Sequence, residues 1–220
     1  MNGLDFTLRG AKLTALPSGA LWWSDERLLC VSDLHLGKSD RMARRGGALL
    51  PPYEVQDTLA KLDAAIAATR PTTVVCLGDT FDDLAAADSL REDDRMWISR
   101  LAAGRRWIWI EGNHDPGPIQ FGGEHLQTLS VGPLQFRHIA AKGATAEVSG
   151  HYHPKAALPR RGVTRPCFLI DDARLILPAF GTYTGGLKTS TNALCDLMAP
   201  NARAILLATP PVEVPMPRAT

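Results

Sequence analysis

Four of the six histidines in this 220-residue chain fall into short blocks that also carry carboxylates or amides. Asp33-Leu34-His35, Gly78-Asp79 and Gly112-Asn113-His114-Asp115 follow one another, and Gly150-His151-Tyr152-His153 comes later. Oxygen and imidazole donors without sulfur suit manganese, iron or zinc, and there are more of them than one ion needs. The blocks therefore predict two metal ions. A pair of ions about 3.5–4 Å apart can share a bridging carboxylate, hold a hydroxide nucleophile and clamp the oxygens of an in-line phosphoryl displacement. Asp79 is the candidate bridge. Asp33 and Asp79 offset only part of the charge of two divalent ions, leaving positive charge for a hydroxide and a phosphate.

Such chemistry requires distant blocks to meet. Residues 28–32, 72–77 and 107–110 are short apolar runs bounded by polar or glycine-rich turns, which predicts buried strands. Between the first two, Val55, Leu59, Leu62 and Ile66 recur at spacings of three and four, predicting an amphipathic helix over 53–69 that stops before Pro71. A second helix is expected over 89–103, ending at Gly104. This alternation predicts an α/β sheet with right-handed crossovers, and in such sheets ligands collect at the carboxyl ends of strands. Each of the first three blocks follows one of the three strands. Beyond Asp115 short strands are expected at 133–138, 147–149, 167–170 and 174–177. His151 and His153 are alternate residues of an extended segment and share a face. Residues 6–23 predict one or two hairpins, and 210–217 a surface strand or frayed end.

Lys and Arg number 24 against 23 Asp and Glu, a net charge of +1, which excludes a polybasic nucleic-acid coat and an acidic tail. The length suits one domain with a substantial core: a hairpin region at 1–27, a catalytic core at 28–200 and a tail at 201–220. Cys30, Cys76, Cys167 and Cys195 form no C-x-x-C pair, which points to a reduced, cytoplasmic setting. The first ten residues lack the apolar run of a signal peptide, and no stretch approaches the roughly 18 apolar residues of a membrane span.

The ordered set D-x-H, G-D, G-N-H-D, a lone histidine and G-H-x-H resembles the calcineurin-like metallophosphoesterase superfamily. The resemblance implies a four-layer sandwich, two mixed β-sheets flanked by α-helices. It implies one metal held by Asp33, His35, Asp79 and His153, and another held by Asp79, Asn113, His138 and His151. His114 would be the general acid, protonating the leaving oxygen, with Asp115 orienting it. His138 is preferred over His125 as the lone histidine because it closes the strand-like Leu134-Gln135-Phe136-Arg137.

Further blocks narrow the likeness: Leu36-Gly37-Lys38, Ala43-Arg44-Arg45-Gly46, Leu50-Pro51-Pro52, and Leu177-Pro178-Ala179-Phe180-Gly181 followed by Tyr183-Thr184-Gly185-Gly186-Leu187. Together they are similar to the ligase-associated DNA damage response endonucleases. That likeness implies a manganese-dependent phosphodiesterase acting on DNA in repair, with a DNA ligase and a helicase as partners. Oligomeric state, a homodimer included, is left open. One departure is Asp82, which stands where that family is expected to have histidine.

Each motif also has a plainer reading. Asp82 and Asp83 read as caps or first-turn acids of a following helix. Lys38, Arg41, Arg44 and Arg45 read either as a solvated loop or as a clamp on a phosphate backbone. Trp22, Trp23, Trp107 and Trp109 read as core rather than as stacking platforms. For the whole chain, a phosphatase or cyclic-nucleotide diesterase for small esters competes with the nuclease. A non-catalytic scaffold is disfavoured by the presence of His114.

Overall fold

The computed structural model of the chain describes residues 2–47, 50–117, 121–157 and 163–218, so the last two residues of the expected tail lie outside it. The first sheet keeps chain order in space: β1 (Leu4–Leu8), β2 (Ala11–Ala15), β3 (Leu21–Trp23), β4 (Leu28–Val31), β5 (Thr73–Leu77), β6 (Arg106–Ile110) and β7 (Glu124–Leu126). β1 to β4 pair antiparallel, and β4 to β7 run parallel. The crossovers carry α1 (Lys38–Arg44) and α2 (Glu54–Thr69), then α3 (Leu84–Ser89) and α4 (Glu92–Ala102).

The second sheet is built from β8 (Thr128–Val131), β9 (Leu134–Arg137), β10 (Glu147–Ser149), β11 (Lys155–Ala157), β12 (Thr164–Ile170), β13 (Arg174–Ile176), β14 (Arg203–Leu206) and β15 (Val212–Pro215). Its order is β15-β14-β12-β13-β10-β9-β8, with β11 added against β12. β9, β10 and β13 are parallel, whereas β12, β14 and β15 pair antiparallel. A short helix, α5 (Asn192–Leu197), precedes β14.

Alternation along each strand divides the apolar side chains between two cores. Leu28 and Cys30 of β4 pack with Val75, Leu77 and Ile108 against Phe136, Val148, Phe168 and Ile170 of the other sheet. Leu29 and Val31 point the opposite way, onto Leu59, Leu62 and Ile66 of α2 and Ile98 and Leu101 of α4. On the far side of the second sheet Leu169, Ile176 and Leu206 meet Leu194 of α5. The four layers are therefore helices, sheet, sheet and helix. Central strands covered on both faces explain why 28–31 and 73–77 read as continuous apolar runs. The four core tryptophans are buried, as are Cys30, Cys76 and Cys167.

Two helical expectations need correction. The segment after Gly37, read as a loop, is α1, and the helix expected over 89–103 is α4, which starts only at Glu92 because Arg91 before it is extended and Ser89 ends the preceding α3. α1 buries none of its residues, so it has no apolar stripe to betray it. The edge strand β15 is formed rather than frayed.

Candidate dimetal centre

The donor residues sit at the carboxyl ends of parallel strands from both sheets. Asp33 and His35 follow β4, Asp79 follows β5, and Asn113 and His114 follow β6. His138 ends β9, and His151 and His153 follow β10. Backbone hydrogen bonds knit the loops: Asp33 N to the Gly78 carbonyl at 3.2 Å, His35 N to that of Asp79 at 2.9 Å, and Gly150 N to that of His138 at 2.9 Å. Five of the seven expected ligands hold a positive φ: Asp33 (54°), His35 (46°), Asp79 (44°), His151 (69°) and His153 (44°). Non-glycine residues adopt this region uncommonly, although Asp and His tolerate it better than most. Strain concentrated on one cluster is typical of sites whose geometry is imposed by their surroundings.

The side chains converge as two groups. In the first, His153 Nε2 lies 3.1 Å from Asp33 Oδ1 and 3.4 Å from His35 Nε2, and His35 Nε2 is 4.0 Å from Asp79 Oδ2. In the second, His138 Nε2 lies 3.0 Å from Asn113 Oδ1, 3.3 Å from His151 Nδ1 and 3.3 Å from Asp79 Oδ2. Asp79 belongs to both through Oδ2, because its Oδ1 accepts from the His114 backbone N–H at 2.8 Å. The structure thus brings together the residues that the sequence resemblance grouped. His125 lies elsewhere, with its ring stacked on Trp109 and Nε2 3.3 Å from the Phe121 carbonyl.

The donor chemistry fits cations. His138 Nδ1 faces the Leu77 carbonyl at 3.1 Å, which assigns the proton there and leaves a lone pair on Nε2. That lone pair faces an amide oxygen, an imidazole nitrogen and a carboxylate, an arrangement of acceptors that a positive ion satisfies. The ionisation equilibria show that the carboxylates favour positive charge beside them. Burial raises the Asp79 carboxyl, but its hydrogen bond and charge contact with His138 outweigh burial and bring it down to about 2. Asp33 is lowered likewise, with His153 and His138 overcoming the cost of burial. His138 is raised, the two aspartates prevailing over its burial. His151 is lowered, by burial first and then by the neighbouring His138.

Two expected roles are placed differently. The His114 ring is held by the Asp82 backbone carbonyl, 2.8 Å from Nδ1, and not by Asp115. Asp115 is buried and accepts from the backbone N–H groups of Thr80 (2.8 Å), Phe81 (3.1 Å) and Gly112 (3.2 Å), bracing the Asp79 loop against the Asn113 loop. Burial, aided by nearby Asp79, pushes it up to about 6 despite those donors. The basic cluster does not stand free either. Arg41 and Lys38 lie 2.8 and 3.7 Å from Asp82, and Arg44 lies 2.8 Å from both Asp40 and Asp83. Among the described residues Arg45 alone of the four has no acidic partner. Asp83 is the α3 N-cap, accepting from Ala86 N at 2.8 Å, as its plainer reading had it. Sequence reasoning missed Ser32, whose hydroxyl donates to Asp33 Oδ2 at 2.5 Å.

Residues 26–159, more than half of the chain, match the family model for the calcineurin-like phosphoesterase. The chain belongs to that family. It is a metal-dependent phosphoester hydrolase, and its clustered histidines and aspartates suggest a dimetal site. Among solved structures the phosphoesterase is similar to the Pseudomonas putida nuclease MPE, at 26% identity and a TM-score of 0.74, covering 96% of this chain and 100% of that one. It also matches the E. coli phosphoesterase Yfce at 14% identity and a TM-score of 0.43, covering 86% of this chain and 99% of that one. No curated protein matches it in sequence. No helix among the described residues is long and apolar enough to cross a membrane.

Proposed function

We propose that this phosphoesterase hydrolyses DNA phosphodiester bonds, acting in DNA repair beside a DNA ligase and a helicase in the cytoplasm. The observation that carries the reading is the likeness to a nuclease along almost the whole of both chains. Two divalent ions, manganese by preference, would be held by Asp33, His35, Asp79 and His153 and by Asp79, Asn113, His138 and His151. When bound they would supply Lewis-acid stabilisation of the phosphoryl oxygens and activation of water. The chain's own residues do the rest. Asp82 holds Nδ1 of His114 through its carbonyl, so Nε2 is the nitrogen left to give a proton to the departing oxygen. Asp115 keeps the loops of Asp79 and Asn113 in register rather than touching that ring.

Hydrolysis of a small phosphate ester remains the second reading, favoured by the internal pairing of Lys38, Arg41 and Arg44. The clamp is best tested with Arg44→Ala combined with Arg45→Ala, since removing Lys38 or Arg41 would strip the partners of a buried carboxylate. Cleavage of DNA and of a bis-aryl phosphate should be measured from low to high salt, with His114→Ala as the control for contaminating nuclease. A DNA enzyme loses DNA cleavage in the double variant, keeps the aryl diester rate, and shows a smaller loss at high salt, where phosphate contacts contribute less. Parallel losses on both substrates favour the small-ester reading.

A further inference from the structure

Asp82 lies outside the two donor sets, yet its carboxylate reaches one of their members. Its side chain is 0% exposed, and burial of a carboxylate is costly unless it is paired. Oδ2 accepts from Arg41 Nη1 at 2.8 Å, and Lys38 Nζ lies 3.7 Å from Oδ1. Oδ1 also lies 2.8 Å from His35 Nδ1. That approach is short but poorly aligned for a hydrogen bond, and among the described residues neither atom has another hydrogen-bond partner. The opposite ring nitrogen of His35, Nε2, faces His153 and Asp79. His35 is thus divided, one nitrogen toward the metal donors and the other toward a carboxylate. Metal-ligating histidines commonly show this division, because the outer carboxylate fixes tautomer and ring orientation and raises ligand basicity.

His35, Asp82 and His114 could themselves be read as a cation site, since their donor atoms lie within 4.8 Å of one another. Lys38 and Arg41 argue against it, since they already supply the positive charge that Asp82 requires.

We propose that Asp82 is a positioning residue for the first metal, holding His35 so that Nε2 is presented to the ion while α1 keeps the carboxylate paired. The proposal rests on the dimetal reading. It also gives α1 a second use, since its two inward cations serve the metal centre rather than a substrate.

The test is Mn²⁺ titration of metal-free protein by calorimetry, repeated with Co²⁺ to follow ligand geometry by absorption. In Asp82→Ala, affinity for one of the two ions should fall by about ten- to a hundredfold while the other is unchanged. Asp82→Asn keeps the shape and an acceptor oxygen for His35, so it should lose affinity at the same ion but by less, with a Co²⁺ spectrum closer to the wild type. This near-isosteric variant also carries the test if Asp82→Ala does not fold. Unchanged affinity for both ions in either variant, equal losses at both, or a third ion in the wild type that Asp82→Ala removes would overturn the proposal. A wild-type protein that binds one ion would overturn the dimetal reading itself, and the proposal with it.

Discussion

His114 shows how a backbone contact can decide chemistry. Its amide N–H fixes Oδ1 of Asp79, while its ring is fixed through Nδ1 by the Asp82 carbonyl. The first contact survives truncation of the side chain and the second does not. His114→Ala should therefore retain metal and fold, yet lose about 10²- to 10⁴-fold in rate on esters with poor leaving groups. Activated aryl esters should suffer much less, because a good leaving group needs little protonation. Steady-state rates on a matched pair of esters check this. Equal losses on both would make His114 a ligand or a structural residue.

At the scale of elements, every strand end that carries a donor must turn sharply, and Gly78 shows why. It ends β5 at a φ of 78°, and a Cβ there would overlap the His138 ring. Gly78→Ala should destabilise the fold by about 1–3 kcal/mol through overpacking, with further cost from the left-handed backbone. Each kcal/mol lowers the melting temperature of a chain this size by roughly 2–4 °C. A variant that melts with the wild type and binds metal equally well would contradict the packing described. The central strands were legible because both faces are buried, and α2 because Leu59, Leu62 and Ile66 form a regular stripe. α1 was not legible, since it buries none of its residues and so carries no apolar stripe. Nor could spacing along the chain show that Asp115 would serve the Asp79 loop instead of the adjacent His114, or that Asp82 would reach His35. Those contacts exist only once the loops after β4, β5 and β6 are brought side by side.

For the whole molecule, the architecture explains why the donors are spread over 121 positions of sequence, from Asp33 to His153. Asp79 and Asn113 come from the first sheet and His138 and His151 from the second, so the second donor set spans the seam between the sheets. The donors of the four blocks stood out in the sequence because each block follows the end of an apolar run, whereas the place of His138 and the division into two sets came from the family resemblance. The use of the basic residues was not legible, because Asp82 and Asp83, which pair with Arg41 and Arg44, lie about forty positions away. In the proposed centre these two sets hold two ions through Asp79 as a shared ligand. Elemental analysis of metal-loaded, exhaustively desalted protein tests it most directly, comparing the wild type with Asp79→Asn. The wild type should hold close to two transition-metal ions per chain, and the variant should lose metal from both sites, with turnover abolished. One ion per chain, retained unchanged by Asp79→Asn, would contradict the shared-ligand centre.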